Sequence, residues 1–276
     1  MRVTPAALTL GAMLLLGAGP AVAQTLPAAD EEDFRYLLGL GLRAGPDYWG
    51  SEQRSVGLKP LWALRWGRWR ISTSGAGGLM GFGNEAVGPG PGASRELFRS
   101  STLRVGFGLR FDSGRHSDAV SSTAGLPDVQ RTLRGRIYAS YELGPQWQLS
   151  GALSQDLLGK RGGAVATIDL TRRLYRSQMA ELSAFVSASA GDRRHMLSYF
   201  GVPADSPAAQ RYGRAYEPGA GLRDASLGAN YTRAFGRHWV GYAGASLSTL
   251  LGPAADSPLD QRRSAFGWSL GLAYRN

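Results

Sequence analysis

Serine, histidine and aspartate, the residue types of a hydrolytic triad, are all present in this chain, so catalysis is the first chemistry to weigh. No nucleophile elbow is read in the sequence. Its three histidines, His116, His195 and His238, each have a plainer role available. His116 lies in the stretch Gly114-Arg115-His116-Ser117-Asp118, His195 follows Asp192-Arg193-Arg194, and His238 precedes Trp239 at a strand start. They read as loop or interfacial histidines, and no two stand at metal-ligand spacing. With no cysteine there is no thiol nucleophile, thiolate metal site or disulfide. The segments Gly75-Ala76-Gly77-Gly78 and Gly88-Pro89-Gly90-Pro91-Gly92 lack the lysine and following helix of a phosphate loop, and read as strand kinks and an outer loop. The expectation is a protein with no catalytic, cofactor or metal site.

Arginine is the remaining chemistry. The formal net charge is +10, and lysine occurs only at Lys59 and Lys160. The arginines are spread along the chain without a basic helical patch or an RNA-binding signature, which argues against nucleic acid. A planar guanidinium fork suits phosphate, so a lumen or loop surface facing outer-membrane lipid and lipopolysaccharide is the better reading.

These residues sit on elements of period two. Phe266, Trp268, Leu270, Leu272 and Tyr274 alternate with Gly267, Ser269, Gly271, Ala273 and Arg275. Leu103, Val105, Phe107, Leu109 and Phe111 alternate with Arg104, Gly106, Gly108, Arg110 and Asp112. The same pattern runs from Tyr36 to Arg43 and from Val56 to Trp66. Such alternation is that of strands, whose successive side chains point to opposite faces. One face is apolar; the other is glycine, serine or charge. Aromatic residues fall at segment ends (Trp66, Trp69, Phe111, Tyr141, Trp147, Trp239, Tyr274), where membrane-interface girdles belong. The segments are about 9–12 residues long, enough to cross a bilayer at a tilt. Short connections (Gly67-Arg68, Gly144-Pro145, Gly236-Arg237) alternate with long ones (Met80–Arg95, Ala190–Glu217).

The fold class expected is all-β, a transmembrane antiparallel barrel. Further strands are read at Trp69–Leu79, Arg131–Leu143, Gln146–Asp156, Ala164–Thr171, Met179–Ser189, Ala220–Thr232 and His238–Ser248, eleven in all. Single-chain bacterial barrels have even counts. The parity breaks between Trp69 and Arg131, where one poorly patterned strand is expected, giving twelve, with ten as the alternative. Residues expected to face the lumen are Arg43, Arg65, Arg104, Arg110, Arg134, Arg136, Glu142 and Asp169. They could line a pore that favours anions, or fill a plugged interior with ion pairs. Ahead of the barrel, Met1-Arg2, the apolar run Ala6–Gly19 and Ala21-Val22-Ala23 read as a signal peptide cleaved after residue 23. Residues 24–33, with Asp30-Glu31-Glu32-Asp33, form an acidic periplasmic lead-in, and 34–276 the barrel.

Three segments carry a family likeness: Pro46-Asp47-Tyr48-Trp49-Gly50-Ser51, Tyr199-Phe200-Gly201-Val202, and Gly252-Pro253-Ala254-Ala255-Asp256-Ser257-Pro258-Leu259. Leu126-Pro127-Asp128-Val129 fits more loosely. In order and spacing the mature chain resembles the MipA/OmpV family of outer-membrane proteins. It departs from the barrel habit of ending on an aromatic residue, since it closes Tyr274-Arg275-Asn276. The resemblance implies a non-enzymatic role. One member is regarded as a scaffold joining a lytic transglycosylase to a penicillin-binding protein, and others are described in envelope stress, adhesion or solute passage. A channel for small anionic solutes is the alternative.

Overall fold

Strong alternation along the chain becomes a closed wall. The computed structural model describes residues 34–73, 75–80, 91–119 and 121–276. The expected signal peptide and acidic lead-in, residues 1–33, lie outside them. The strands are β1 (Arg35–Pro46), β2 (Arg54–Trp66), β3 (Trp69–Ser72), β4 (Gly92–Arg99), β5 (Leu103–Asp112) and β6 (Thr132–Glu142). They continue with β7 (Trp147–Asp156), β8 (Ala164–Arg176), β9 (Ala180–Gly191), β10 (Gly221–Phe235), β11 (Trp239–Leu250) and β12 (Ser264–Arg275). Each pairs antiparallel with its sequence neighbours, and β1 pairs with β12, so the twelve strands close a barrel. Among the described residues no helix is long and apolar enough to cross a membrane.

The two faces are those of a barrel in hydrocarbon. Leu38, Leu40 and Leu42 on β1 pair with Tyr274, Leu272 and Leu270 on β12, and the aliphatic members of this set lie exposed on the outer wall. Leu37, Gly39 and Gly41 pair with Arg275, Ala273 and Gly271 on the inner face. Wall glycines give the interior its room. Tyr138 lies over Gly106, Phe185 over Gly228 and Tyr242 over Gly271, each where a Cβ would collide with the ring.

Two expectations change around β3. The strand read at Trp69–Leu79 ends at Ser72, because Gly75 takes φ 89° and turns the chain off the wall. Ala76–Leu79 then form a helical turn, α1, inside the barrel. Ala76 and Leu79 pack there against Leu37, Leu61, Ala63, Val240 and Ala273. The segment read as a loop, Met80–Arg95, gives up its end to β4, which begins at Gly92. This is the missing strand. Its alternation is spoiled by a bulge between Glu96 and Phe98, which puts an extra residue against β5. Beyond Ala63–Trp66, where it pairs with β3, the rest of β2 has no strand partner on that edge among the described residues.

The start of β1 and the end of β12 share one end of the barrel with the short turns at Gly67-Arg68, Gly144-Pro145 and Gly236-Arg237. The long connections gather at the other end. The stretch read as a loop at Ala190–Glu217 begins with the last two residues of β9 and then folds into helices α2 (Arg193–Phe200) and α3 (Pro207–Tyr212). Asp192 and Ser206 cap them by accepting from the His195 and Ala209 amides. A further turn, α4 (Gly252–Ala255), precedes β12.

Candidate functional site

The connections β1–β2, β5–β6 and β9–β10 stand four strands apart around a ring of twelve. Side chains from all three can therefore meet only across the mouth, and they do. The Tyr48 hydroxyl donates to the Tyr199 carbonyl. Arg115 Nη1 donates to Tyr48 Oη and to that carbonyl, both at 3.3 Å. Tyr199 Oη in turn donates to Asp112 Oδ2 at 3.2 Å. Burial raises the pKa of both tyrosines, and the Asp112 charge adds to the rise at Tyr199, so both remain neutral donors.

Below this knot a strut crosses from β6 to β10. Arg134, 1% exposed, donates from Nε to Asp112 Oδ2 at 2.8 Å, and from its two Nη atoms to the Gly163 and Gly162 carbonyls. His195 stands next, its Nδ1 3.0 Å from the Gly162 carbonyl and its Nε2 3.3 Å from Arg223 Nη1. Nδ1 is thus the protonated nitrogen and Nε2 accepts from Arg223. Burial first, then the Arg223 guanidinium, push the His195 pKa down to about 3, so the ring is neutral. Arg223 completes the strut by lying 3.7 Å from the Trp49 ring centre and pairing with Asp224. Neighbouring residues in a strand face opposite ways, yet both of these point inward, because a bulge at Leu222/Asp224 re-aims Arg223.

Family-like segments form this closure. Trp49 stacks on Phe200 with centroids 5.8 Å apart. Gly50, at φ 80°, turns its carbonyl to accept from the Gln261 and Arg262 amides at 2.8 and 2.9 Å. Ser51 Oγ accepts from the Gln53 amide at 3.0 Å, and Pro46 ends β1 opposite Arg54. Gly201 ends α2, its amide bonding the Leu197 carbonyl at 3.1 Å, and Val202 bridges to Tyr216. Ser257 Oγ donates to the Phe200 carbonyl at 2.6 Å. Asp256 caps α4 and stays exposed, while Pro258 is half-buried beside Leu259. Leu126, Val202, Ala208, Ala209 and Leu259 make one apolar cluster, and Met196, Phe200, Leu250, Ala254 and Ala255 another. The outer end is built like a small core.

The ladder register puts all eight lumen candidates on the inner face. Arg43 aligns with Gly57 and Ser269, and Arg65 with Arg35 and Arg70. Arg104 pairs with Glu142 at 3.2 Å. Arg110 aligns with Arg134, and Arg136 with Gly108 and Ser154. Asp169 aligns with Ser150 and Ser187. Further inner pairs, Arg70 with Glu96 and Arg173 with Glu181, leave the interior laced by ions.

Of the histidines, His238 stacks on Tyr274 at 5.3 Å by a short turn, and exposed His116 approaches Asp128 at 3.6 Å. His195 is no loop surface residue, because α2 carries it beneath the cap, where it is 3% exposed. The letters Gly-x-Ser-x-Gly do occur, at Gly267–Gly271, but inside β12 and away from any strand-to-helix turn. Among the described residues no group of three or more His, Asp or Glu could hold a metal.

The family model described as MltA-interacting protein MipA matches residues 38–276. The chain belongs to the MipA family. This MipA-family chain is an outer-membrane β-barrel, its apolar wall turned to lipid. No curated protein matches it. Among solved structures it is similar to the outer-membrane OmpT of Vibrio cholerae, at 9% identity, with 88% of this chain and 97% of that one covered and a TM-score of 0.37. It is also similar to the KdgM porin, at 8% identity, 86% and 98% coverage and a TM-score of 0.39. The NanC porin matches at 9% identity, 85% and 98% coverage and a TM-score of 0.41. Likeness at that level carries no argument about function.

Proposed function

We propose that this MipA-family barrel is a non-enzymatic interaction protein that holds murein enzymes at the periplasmic face of the outer membrane. The partner class is a lytic transglycosylase, after the interaction for which the family is named, together with a penicillin-binding protein. Family membership carries the proposal. Two structural features support it. The outer mouth is bridged by ordered loops, which favours a body over a conduit. The short-turn end is edged with arginines, among them Arg68, Arg99, Arg176 and Arg237, which suit an acidic protein surface. In outer-membrane barrels that end faces the periplasm.

The experiment is capture of purified lytic transglycosylase by the detergent-folded barrel. Arg68→Glu/Arg237→Glu is expected to weaken capture and make the remainder less dependent on salt. Equal capture by wild type and variant, or none by wild type, contradicts the proposal. The second reading, an anion channel, draws on Arg110 and Arg136 projecting from adjacent inner strands, and conductance in a planar bilayer tests it.

A further inference from the structure

The membrane-facing wall is not evenly covered. The outward positions of β11 run Trp239, Gly241, Ala243, Ala245, Leu247, so three small residues follow one another. The strands on either side carry bulk. β12 places Leu272 and Leu270 outward beside Gly241 and Ala243. β10 places Arg233 and Tyr231 beside the same two residues. The result is a trough along β11, about 540 Å³ in volume, lined by side chains of β10, β11, β12, β1 and β2. Phe235 and Trp239 pair at its end by the short turn Gly236-Arg237, and the Phe235 ring leans over Gly241 to form the end wall.

The trough has one charged residue in its lining, and its position is informative. Arg233 is two residues from the short-turn end of β10, exposed, and on the outward face. Its guanidinium lies 5.7 Å from the Phe235 ring centre and makes no ion pair among the described residues. A cation on the lipid side of a barrel is tolerated near the interface and costs more with depth. The anion that lipid supplies at that level is the phosphodiester of a phospholipid in the periplasmic leaflet. A guanidinium fork matches that group, and a narrow apolar trough along the strand matches an acyl chain.

We propose that the trough at Ala243, walled at one end by Phe235, is a binding site for one glycerophospholipid of the periplasmic leaflet, with an acyl chain along β11 and the phosphate on Arg233. The site depends on the barrel's place in the membrane and not on any murein partner. Lipopolysaccharide is excluded as occupant by orientation, since the cation sits at the end away from the long loops.

Native mass spectrometry of the full chain, folded and released from detergent after incubation with phosphatidylglycerol, tests it. Wild type is expected to carry one lipid through delipidation. Arg233→Gln should lower the bound fraction by about tenfold, as loss of a charge-assisted contact does. Ala243→Phe, which fills the trough from the lipid side, should lower it similarly. Arg172→Gln removes another cation, one that lies over Trp147 and outside the trough, and should leave it unchanged. Heat-modifiable migration on gels confirms that each variant is folded. Non-selective adducts on all four proteins, or full retention in Arg233→Gln or Ala243→Phe, overturn the proposal.

Discussion

Replacing Arg134 by methionine keeps most of the stem and removes the guanidinium that ties β6 to the loops. The residue is 1% exposed, and its head group donates to Asp112 and to the Gly162 and Gly163 carbonyls. Removing one member of a buried pair costs about 3–5 kcal/mol, mostly by stranding the other. Asp112 keeps the Gly114 amide at 3.0 Å and Tyr199 Oη at 3.2 Å, so the lower end, about 3 kcal/mol, is expected here. Arg104→Met breaks a pair whose side chains are 23% and 28% exposed. That change should cost about 0–1 kcal/mol. Arg134→Lys, with charge but no fork, should fall between. Combining Arg134→Met with Asp112→Asn should cost less than the sum, by about 0.5–3 kcal/mol. Urea unfolding in detergent, followed by emission of the exposed Trp66, Trp69, Trp147 and Trp239, measures each value. Equal losses for Arg134→Met and Arg104→Met would show that burial under the loops does not set the worth of this pair.

Two further outcomes follow from the same contacts. His195, held at about 3 in the fold against an unfolded value near 6.5, binds its proton only in the unfolded chain between those values. Its contribution is complete above pH 6.5 and is lost by about 1.4 kcal/mol per unit as pH falls toward 3. His195→Gln should therefore flatten the fall in stability between pH 6 and pH 4, measured by unfolding at each pH; an unchanged slope would show that the ring is not held neutral. Gly271→Val should destabilise the barrel, because its Cβ runs into the Tyr242 ring, and Tyr242→Ala in the same chain should recover part of the loss. Absence of rescue in an unfolding titration would mean that the collision is not the cause.

Much of the wall was legible in the sequence because period two survives in single strands. β5 shows both faces without exception and β12 does so from Phe266 on, and the inward arginines follow from that alternation once closure is granted. The strand count was legible through parity, although β4 itself was hidden by its bulge. The end of β3 was not legible, since Gly75-Ala76-Gly77-Gly78 has the small residues of an inner strand face; only the positive φ at Gly75 and the burial of Leu79 distinguish a helical turn. The strut was also hidden. Arg223 and Asp224 break alternation, and His195 looked like one polar residue in a polar loop, because what buries it comes from β6 and β10, far away in the chain.

The family segments interlock over the mouth, so the folded barrel is expected not to conduct. Planar-bilayer recording of the folded protein, beside Tyr48→Ala/Arg115→Ala, which unties the knot, is the measurement that decides this. A silent wild type and measurable conductance in the variant are expected. Steady anion-selective current through the wild type would contradict that closure.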